Sequence, residues 1–198
     1  MARPRFDNAS FLAAARRIAV DDGPSAVTVE SVTRRLSAPK GSFYYRFESR
    51  DALLGEVWLA TALKFQEGFV AAIDAKDGLR AALHTPAWVR AHLDDARLLM
   101  LYSRHDFVNG DWPEPLRQGV KEQESRFIDC LLRFARMAFG RATPAHVRRA
   151  TFILADVPLA AVKQHIRRRE PPPRLVDDLI TQTYRAVVGR GSRADDDA

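Results

Sequence analysis

Apolar residues recur at helical intervals along most of this 198-residue chain. Near the amino terminus, Phe11, Ala15, Ile18 and Ala19 have the spacing of a single helix face, and later segments repeat that period. No stretch shows the sustained alternation of apolar and polar residues that is typical of a half-buried β-strand. The pattern therefore predicts an all-α fold of about nine helices.

The first 50 residues contain three short helical segments separated by helix-breaking residues. A glycine-proline pair at 23–24 ends the first segment, and Thr28 is a suitable N-cap for the second. The third segment covers about residues 40–47, and only residues 37–39 (Ser-Ala-Pro) separate it from the second. Two short helices joined by so tight a turn are typical of a helix-turn-helix.

Longer helical segments follow. A fourth helix begins at Arg50 behind a Ser49 cap, and a later one is predicted to be interrupted or restarted at residues 85–86 (Thr-Pro). Another helix is predicted to open at residues 94–95, which are both aspartate. Residues 109–115 (Asn-Gly-Asp-Trp-Pro-Glu-Pro) are the clearest loop in the chain.

Three long helices are predicted after this loop. Gly140 ends the first of them, and residues 143–144 (Thr-Pro) open the second as N-cap and first helical residue. The second is expected to continue towards Arg169 with a kink at Pro158. The last helix is predicted over residues 172–188.

Positive charge is concentrated at the amino-terminal end. The formal net charge is +6 and the sequence pI is about 9.9. Residues 1–50, the predicted helix-turn-helix domain, carry nine Arg and Lys residues against five Asp and Glu residues. Residues 51–189 are predicted to form a second helical domain and residues 190–198 a disordered tail. The basic first domain indicates a polyanionic partner such as nucleic acid.

Composition also bears on cellular location. No run approaches the roughly 18 apolar residues that a membrane-spanning helix needs. Residues 7–8 (Asp-Asn) interrupt the apolar stretch that a secretory signal would require. Cys130 is the only cysteine, so the chain cannot form an internal disulfide. We therefore expect a soluble cytoplasmic protein with no membrane partner, in which Cys130 is either a buried structural thiol or a redox sensor.

The third segment has the residues that a DNA recognition helix requires. Phe43 and Phe47 lie one helical turn apart and can anchor the helix on its neighbours. Residues 40–42 (Lys-Gly-Ser) are small or polar, which would let the start of the helix approach base edges in the major groove. Residues 44–46 (Tyr-Tyr-Arg) add hydroxyl groups and a cation that can reach phosphates or bases.

Two helix starts are further candidates for binding DNA. The helices that start at Thr28 and Arg50 have unpaired backbone N–H groups in their first turns. These donors lie at the positive end of the helix dipole, so they can bind an anion. We therefore expect phosphate groups of DNA at both positions.

This part of the chain resembles the N-terminal domain of the TetR/AcrR family of bacterial repressors. The matching elements are residues 13–18 (Ala-Ala-Ala-Arg-Arg-Ile), Gly23, and Thr-Val at 28–29. The best matches are residues 40–47 (Lys-Gly-Ser-Phe-Tyr-Tyr-Arg-Phe) and 49–54 (Ser-Arg-Asp-Ala-Leu-Leu).

The resemblance covers residues 7–57 and has three departures. The family usually has glycine where Ser37 stands, often serine or threonine where Pro39 stands, and commonly alanine where Thr33 stands. The resemblance implies a homodimer that binds a near-palindromic operator in double-stranded DNA and is released by a small hydrophobic or aromatic effector, with no cofactor. It leaves open whether the protein represses or activates transcription.

The resemblance also implies roles for individual residues. The residues implied to contact phosphates are Thr28, Lys40, Tyr44 and Arg50. Those implied to contact bases are Ser42, Tyr45 and Arg46, and Gly41 is a further DNA-binding residue of the same segment. The candidate effector-pocket residues are chosen from the sequence itself, as aromatic or imidazole groups on otherwise apolar helices: Trp58, Phe65, Trp88, His92, Tyr102, His105, Phe127 and Phe134. The last two helices would form the dimer interface through Val157, Ala161, Leu175, Leu179, Ile180, Thr183 and Val187.

Two other classes of protein are less consistent with this sequence. A helical adaptor that binds protein is one alternative, but the basic first domain and the motif at residues 40–47 favour DNA. An enzyme is the other, but the chain has no Gly-rich phosphate loop, no Gly-x-Ser-x-Gly and no His-Glu-x-x-His. Its five histidines include no pair four residues apart, and there is no Cys-x-x-Cys, so we expect no metal site.

Overall fold

The structure is a computed structural model that describes residues 6–101 and 112–191. All regular structure in these ranges is helical, which confirms the predicted all-α fold. The first helices are α1 (Asn8–Asp22), α2 (Val29–Leu36), α3 (Lys40–Tyr44), α4 (Arg50–Asp74), α5 (Gly78–Ala91) and α6 (Leu93–Leu101). The others are α7 (Glu114–Phe139), α8, which has three segments described below, and α9 (Arg174–Gly191).

Capping side chains and a glycine mark the ends of several helices. Asp7, Thr28, Asp77 and Thr143 each accept a hydrogen bond from a backbone N–H three residues further on, at the starts of α1, α2, α5 and α8. The predicted caps at Thr28 and Thr143 are thus confirmed. Gly140 ends α7 with a φ of +73°, a conformation that glycine adopts without steric cost.

The predicted interruption at residues 85–86 is wrong. Helix α5 continues through Pro86, which is buried together with Thr85. A proline inside a helix cannot donate the usual backbone hydrogen bond. Here the helix remains continuous because both residues of this turn are packed into the core. Helix α3 is also shorter than predicted, since Phe47 lies beyond its last residue, Tyr44.

Helix α8 is irregular where a kink was predicted. It consists of α-helical Pro144–Thr151, a π-helical turn at Phe152–Asp156 and α-helical Val157–Arg168. The wider turn ends two residues before Pro158, whose missing N–H and bulky ring disturb the regular hydrogen-bond ladder. The irregularity therefore occurs where the sequence indicated it, as a π-helical turn.

Contacts divide the chain into two compact units. Unit 1 comprises Met1–Ala62 and Arg97–Glu122, and unit 2 comprises Leu63–Ala96 and Gln123–Ala198. The core of unit 1 is a cluster of buried residues from α1 to α4 that includes Phe11, Val32, Phe43, Phe47 and Leu54. The division at residue 50 made from the sequence stays a prediction.

Unit 2 has its own apolar core and a partly buried ion pair that links its last helix to α5. Ile153, Leu154 and Ile180 are almost completely buried. The Arg90 guanidinium on α5 donates to both carboxylate oxygens of Asp177 on α9, at 2.9 and 2.8 Å. Helix α9 ends at Gly191, so residues 192–198 of the predicted tail lie outside the described residues. Residues 109–111 of the predicted loop also lie outside them.

The C-cap of α2 offers a test of local strain. Ser37 has a φ of 52°, in the left-handed region that disfavours residues with a Cβ atom. Ser37→Gly should therefore raise the free energy of unfolding by up to about 1 kcal/mol, measured by thermal or urea denaturation. Gly140→Ala is the matched control with the opposite sign, since a Cβ there would meet no heavy atom within 4 Å but would be strained. A Ser37→Gly protein no more stable than the wild type would contradict this reading.

Candidate nucleic-acid interface

Two phenylalanines hold α3 onto unit 1. Phe43 and Phe47 are 0% and 2% exposed, which confirms that they belong to the core. The ring of Phe11 on α1 lies 5.9 Å from each of them, centroid to centroid, and the Phe43 and Phe47 rings are 5.6 Å apart. Such spacings are typical of favourable edge-on aromatic contacts. The short helix is thus fixed to α1 by its apolar face.

The opposite face of α3 is open. Tyr45 is 86% exposed and Tyr44 is 60% exposed, while Lys40 and Gly41 are exposed as well. A Cβ atom placed at Gly41 would meet no heavy atom within 4 Å. Tyrosine side chains are enriched at interfaces, because each combines an apolar ring with a polar hydroxyl group. This face carries hydroxyl groups, one ammonium group and a bare stretch of backbone.

Ser42 and Arg46 are half-buried, and both side chains bond to backbone carbonyl groups of residues 39–42. The Ser42 hydroxyl donates to the carbonyl oxygen of Pro39 at 2.6 Å. Arg46 donates from Nη1 to the carbonyl oxygen of Ser42 at 2.9 Å, and its guanidinium lies 5.5 Å from the ring centre of Tyr45. Both side chains can still reach outward, but each must give up a local contact to do so.

Helix α2 begins with a reciprocal cap that sequence reasoning found only in part. Thr28 Oγ1 accepts from the N–H of Ser31 at 3.0 Å, and Ser31 Oγ accepts from the N–H of Thr28 at 2.9 Å. Ser31 was missed because it is serine at a position where Glu or Gln is the usual partner. Thr28 is exposed and uses a lone pair in this bond, so its hydroxyl proton can be donated to an anion.

Arg50 is placed differently from the other predicted DNA contacts. Its guanidinium donates to the carbonyl oxygens of Val27 and Pro24, at 2.5 and 2.9 Å, and to the carboxylate of Asp51 at 2.7 Å. The side chain is 29% exposed. Three of its donors are therefore directed at the protein itself.

Within unit 2, the structure brings three predicted pocket residues together. Phe65 on α4 lies 5.1 Å from Trp88 on α5, and Trp88 lies 5.5 Å from His92, centroid to centroid. His84 joins this group 4.9 Å from Phe65. Sequence reasoning missed His84, although it precedes Trp88 on α5 by four residues, the spacing that places two side chains on one face of a helix.

His84 is held against α4. Its Nε2 lies 2.7 Å from the carbonyl oxygen of Phe65, and the ring occupies the space that a Cβ atom of Gly68 would need. Burial lowers the pKa of His84 despite that hydrogen bond, which by itself would raise it. The imidazole is therefore held in its neutral form at pH 7.

Two buried polar atoms in unit 2 have no hydrogen-bond partner among the residues described. They are Oε1 of Gln66 and Nε1 of Trp88. Gln66 donates from Nε2 to the carbonyl oxygen of Gln123 at 2.9 Å, which leaves only its oxygen unsatisfied. Such atoms are costly to bury, and a bound molecule can supply the missing partner.

The other predicted pocket residues lie elsewhere. Phe127 packs on Phe69 at 5.3 Å, and Phe134 lies 6.2 Å from Tyr184, both in unit 2. Trp58 packs in unit 1 against the clusters around Phe11 and Trp112. The remaining two candidates lie outside the described residues: Tyr102 and His105.

The predicted dimer residues differ in exposure. Leu175 and Leu179 are exposed, whereas Ile180 is buried inside its own chain. The others are half-buried: Val157, Ala161, Thr183 and Val187. Phe152 and Leu159 on α8 are also exposed and were missed by sequence reasoning. A groove of about 420 Å³ is lined by Arg148, Arg149, Phe152, Ala186 and Val187.

In the described ranges, no group of three or more His, Cys, Asp and Glu side chains is arranged to hold a metal ion. None of the helices described there is long and apolar enough to cross a membrane. Cys130 is buried, and its Sγ accepts a hydrogen bond from Arg133 at 3.2 Å.

Comparison with known proteins identifies the first domain. Residues 11–57 match the family model of bacterial regulatory proteins of the tetR family. No curated protein matches the sequence.

Three solved structures are similar in fold. A protein of Shewanella sp. PV-4 assigned to the TetR family of transcription regulators has a TM-score of 0.63 at 14% identity, covering 95% of this chain and 98% of that one. A similarly assigned protein of Mesorhizobium loti has a TM-score of 0.59 at 14% identity, covering 93% of this chain and 94% of that one. The ketosteroid transcriptional regulator KstR2 of Mycobacterium tuberculosis has a TM-score of 0.58 at 15% identity, covering 96% of each chain.

The family match falls on the same helices whose anchor and open face are described above. Residues 11–57 therefore match the DNA-binding domain of the tetR family of bacterial regulatory proteins, and the fold of the chain is that of the three solved regulators.

Proposed function

We propose that this protein is a transcriptional repressor that binds a near-palindromic DNA operator as a homodimer and leaves it when a small molecule binds. The observation that carries the DNA-binding part is the division of α3 into two faces. Phe43 and Phe47 are buried, while Lys40, Gly41 and Tyr45 are exposed on the helix that the family match covers. A helix held by buried residues on one face can enter the major groove with its other face, and Phe43 and Phe47 stay in the core.

Each exposed group has a chemical role in this proposal. Lys40, Tyr44 and Thr28 donate to phosphate oxygens, which positions the domain on the duplex. Ser42, Tyr45 and Arg46 read base edges after giving up local contacts, and Gly41 lets the backbone approach the groove closely. A protein of this kind acts on the chromosome, so we place it in the cytoplasm.

Gly41→Ala separates DNA binding from folding. Nothing in the free protein obstructs the added methyl group, so stability should be unchanged or higher by about 0.5–1 kcal/mol. Affinity for an operator, selected beforehand from random duplexes with the wild-type protein, should fall on the order of tenfold, because the methyl group would lie against DNA. The readouts are thermal denaturation and a mobility-shift titration.

Gly189→Ala on α9 is the matched control, since a Cβ there also meets no heavy atom within 4 Å. It should leave operator affinity unchanged. Equal operator affinity of the Gly41→Ala and wild-type proteins would show that α3 does not lie against DNA. If the wild-type protein selects no duplex, the proposed function is wrong.

The dimer is proposed to form through exposed apolar residues of α8 and α9. Two copies of α3 must lie about 34–36 Å apart to enter successive major grooves on one side of B-DNA. Leu175, Leu179 and Phe152 are large, apolar and exposed, which favours their burial by a second copy. Ile180 stabilises this surface from below, because it is buried in its own chain.

Leu179→Glu should yield monomers, since a carboxylate would be buried against apolar side chains in the dimer. Ile128→Glu on α7 is the matched control, because Ile128 and Leu179 are each 53% exposed in the single chain. Sedimentation velocity should show a monomer for the first variant and a dimer for the second. A dimer in both would move the interface away from α9.

The effector is proposed to be a neutral, largely aromatic molecule. The support is the group formed by Phe65, His84, Trp88 and His92, in which His84 is neutral and Trp88 has an unsatisfied N–H. A charged ligand would lose more hydration energy there than these groups return. The effector acts only by binding the DNA-free arrangement more tightly than the DNA-bound one.

A thermal-shift screen tests this chemistry. Neutral phenols and polycyclic ketones should raise the unfolding temperature, and carboxylate analogues of the same size should not. Trp88→Phe, which removes the N–H and keeps an aromatic ring, should weaken the shift caused by ketones. Preferential binding of the carboxylates would overturn the proposed ligand class.

A further inference from the structure

Arg50 joins two segments of unit 1 that are distant in sequence. It is the first residue of α4, and it reaches carbonyl oxygens 23 and 26 residues earlier in the chain. Nε donates to Val27 at 2.5 Å and Nη2 donates to Pro24 at 2.9 Å. Nη1 donates to Asp51 at 2.7 Å, which holds the guanidinium plane in place from its own helix.

The two carbonyl groups lie directly before α2. Pro24 begins a short 3₁₀ turn that ends at Ala26, and Val27 is the next residue. Thr28, the N-cap of α2 and a proposed phosphate contact, follows immediately. By holding these two carbonyls, Arg50 therefore fixes the start of α2 relative to the start of α4.

The placement of this cation needs an explanation. A positive charge in the first turn of a helix faces the positive end of the helix dipole, which disfavours it. Asp51 offsets part of this repulsion. The two carbonyl oxygens of the turn supply further negative partial charge, and their geometry suits the planar, forked donors of arginine.

We infer that Arg50 is a positioning residue, which presents the start of α2 to DNA, and that it does not itself bind phosphate. The inference rests on the proposed DNA-binding function and refines it. A phosphate bonded to Nε or Nη2 in place of these carbonyls would release the turn that carries Thr28. Because α4 and this turn are bonded directly, a shift of the first turn of α4 either carries Thr28 along or breaks the two bonds.

Two substitutions at this position distinguish positioning from phosphate binding. Arg50→Lys keeps the charge but cannot donate to both carbonyls in the same plane, and Arg50→Gln removes the charge. Both variants should lose operator affinity on the order of tenfold, while the slope of log K against log salt stays at the wild-type value. Lys40→Ala is the contrasting variant, and its slope should become shallower by about 0.9.

Wild-type affinity in Arg50→Lys would overturn the inference, because charge alone would then suffice. A shallower salt slope in Arg50→Gln would overturn it too, since that result counts a lost phosphate contact. Both measurements use the full-length protein and the operator selected from random duplexes.

Hydrogen exchange tests the clamp without DNA. The amides of Val27, Thr28 and Ser31, which are hydrogen-bonded in the turn and the cap, should exchange faster in Arg50→Gln and Arg50→Lys than in the wild type. Amides in the middle of α1 should be unchanged, as should all of these amides in Lys40→Ala.

The outcomes separate the inference from the function on which it rests. Equal acceleration throughout unit 1 would show that Arg50 only stabilises the domain, and unchanged exchange would show that the clamp is absent; either result overturns the inference. If the wild type selects no duplex, the proposed function fails, and the exchange measurement still decides whether Arg50 holds the turn.

Discussion

The contact of Phe11 with Phe43 and Phe47 is the interaction on which the DNA-binding domain depends. Helix α3 has only five residues, too few to be stable alone, because helix nucleation costs more than so short a helix returns. Burial of each phenylalanine contributes about 1.5–3 kcal/mol. Tertiary packing therefore holds α3 in its helical form and in its orientation.

The exposed face of α3 follows from that anchor. Once Phe43 points inward, the helical period directs Gly41, Tyr44 and Tyr45 away from the core. The rest of the domain is arranged around the same helix: the cap at Thr28 fixes the start of α2, and the guanidinium of Arg50 ties the turn before it to α4. A small number of hydrogen bonds and ring contacts thus fix the helices that present the exposed face of α3.

The shared helical fold does not specify which side chains occupy unit 2. Three solved structures share the fold of the chain at only 14–15% identity, so similar helical folds form around very different side chains. What is particular to this chain is the group around Trp88, with a neutral His84 seated over Gly68. The proposed ligand chemistry therefore rests on those residues, since a shared fold does not specify a function.

Features that depend on a few neighbouring residues could be predicted from the sequence: the all-α fold, the caps at Thr28 and Thr143, the stop at Gly140 and the inward phenylalanines of α3. They follow from backbone preferences and the helical period, which operate over a single turn. Other features required the tertiary structure. Pro86 is accommodated within a helix, Ile180 faces inward while Leu179 faces outward, and Arg50 bonds to carbonyls 23 and 26 residues away. In these cases the partner comes from another part of the chain, and only the packing of helices decides which groups meet.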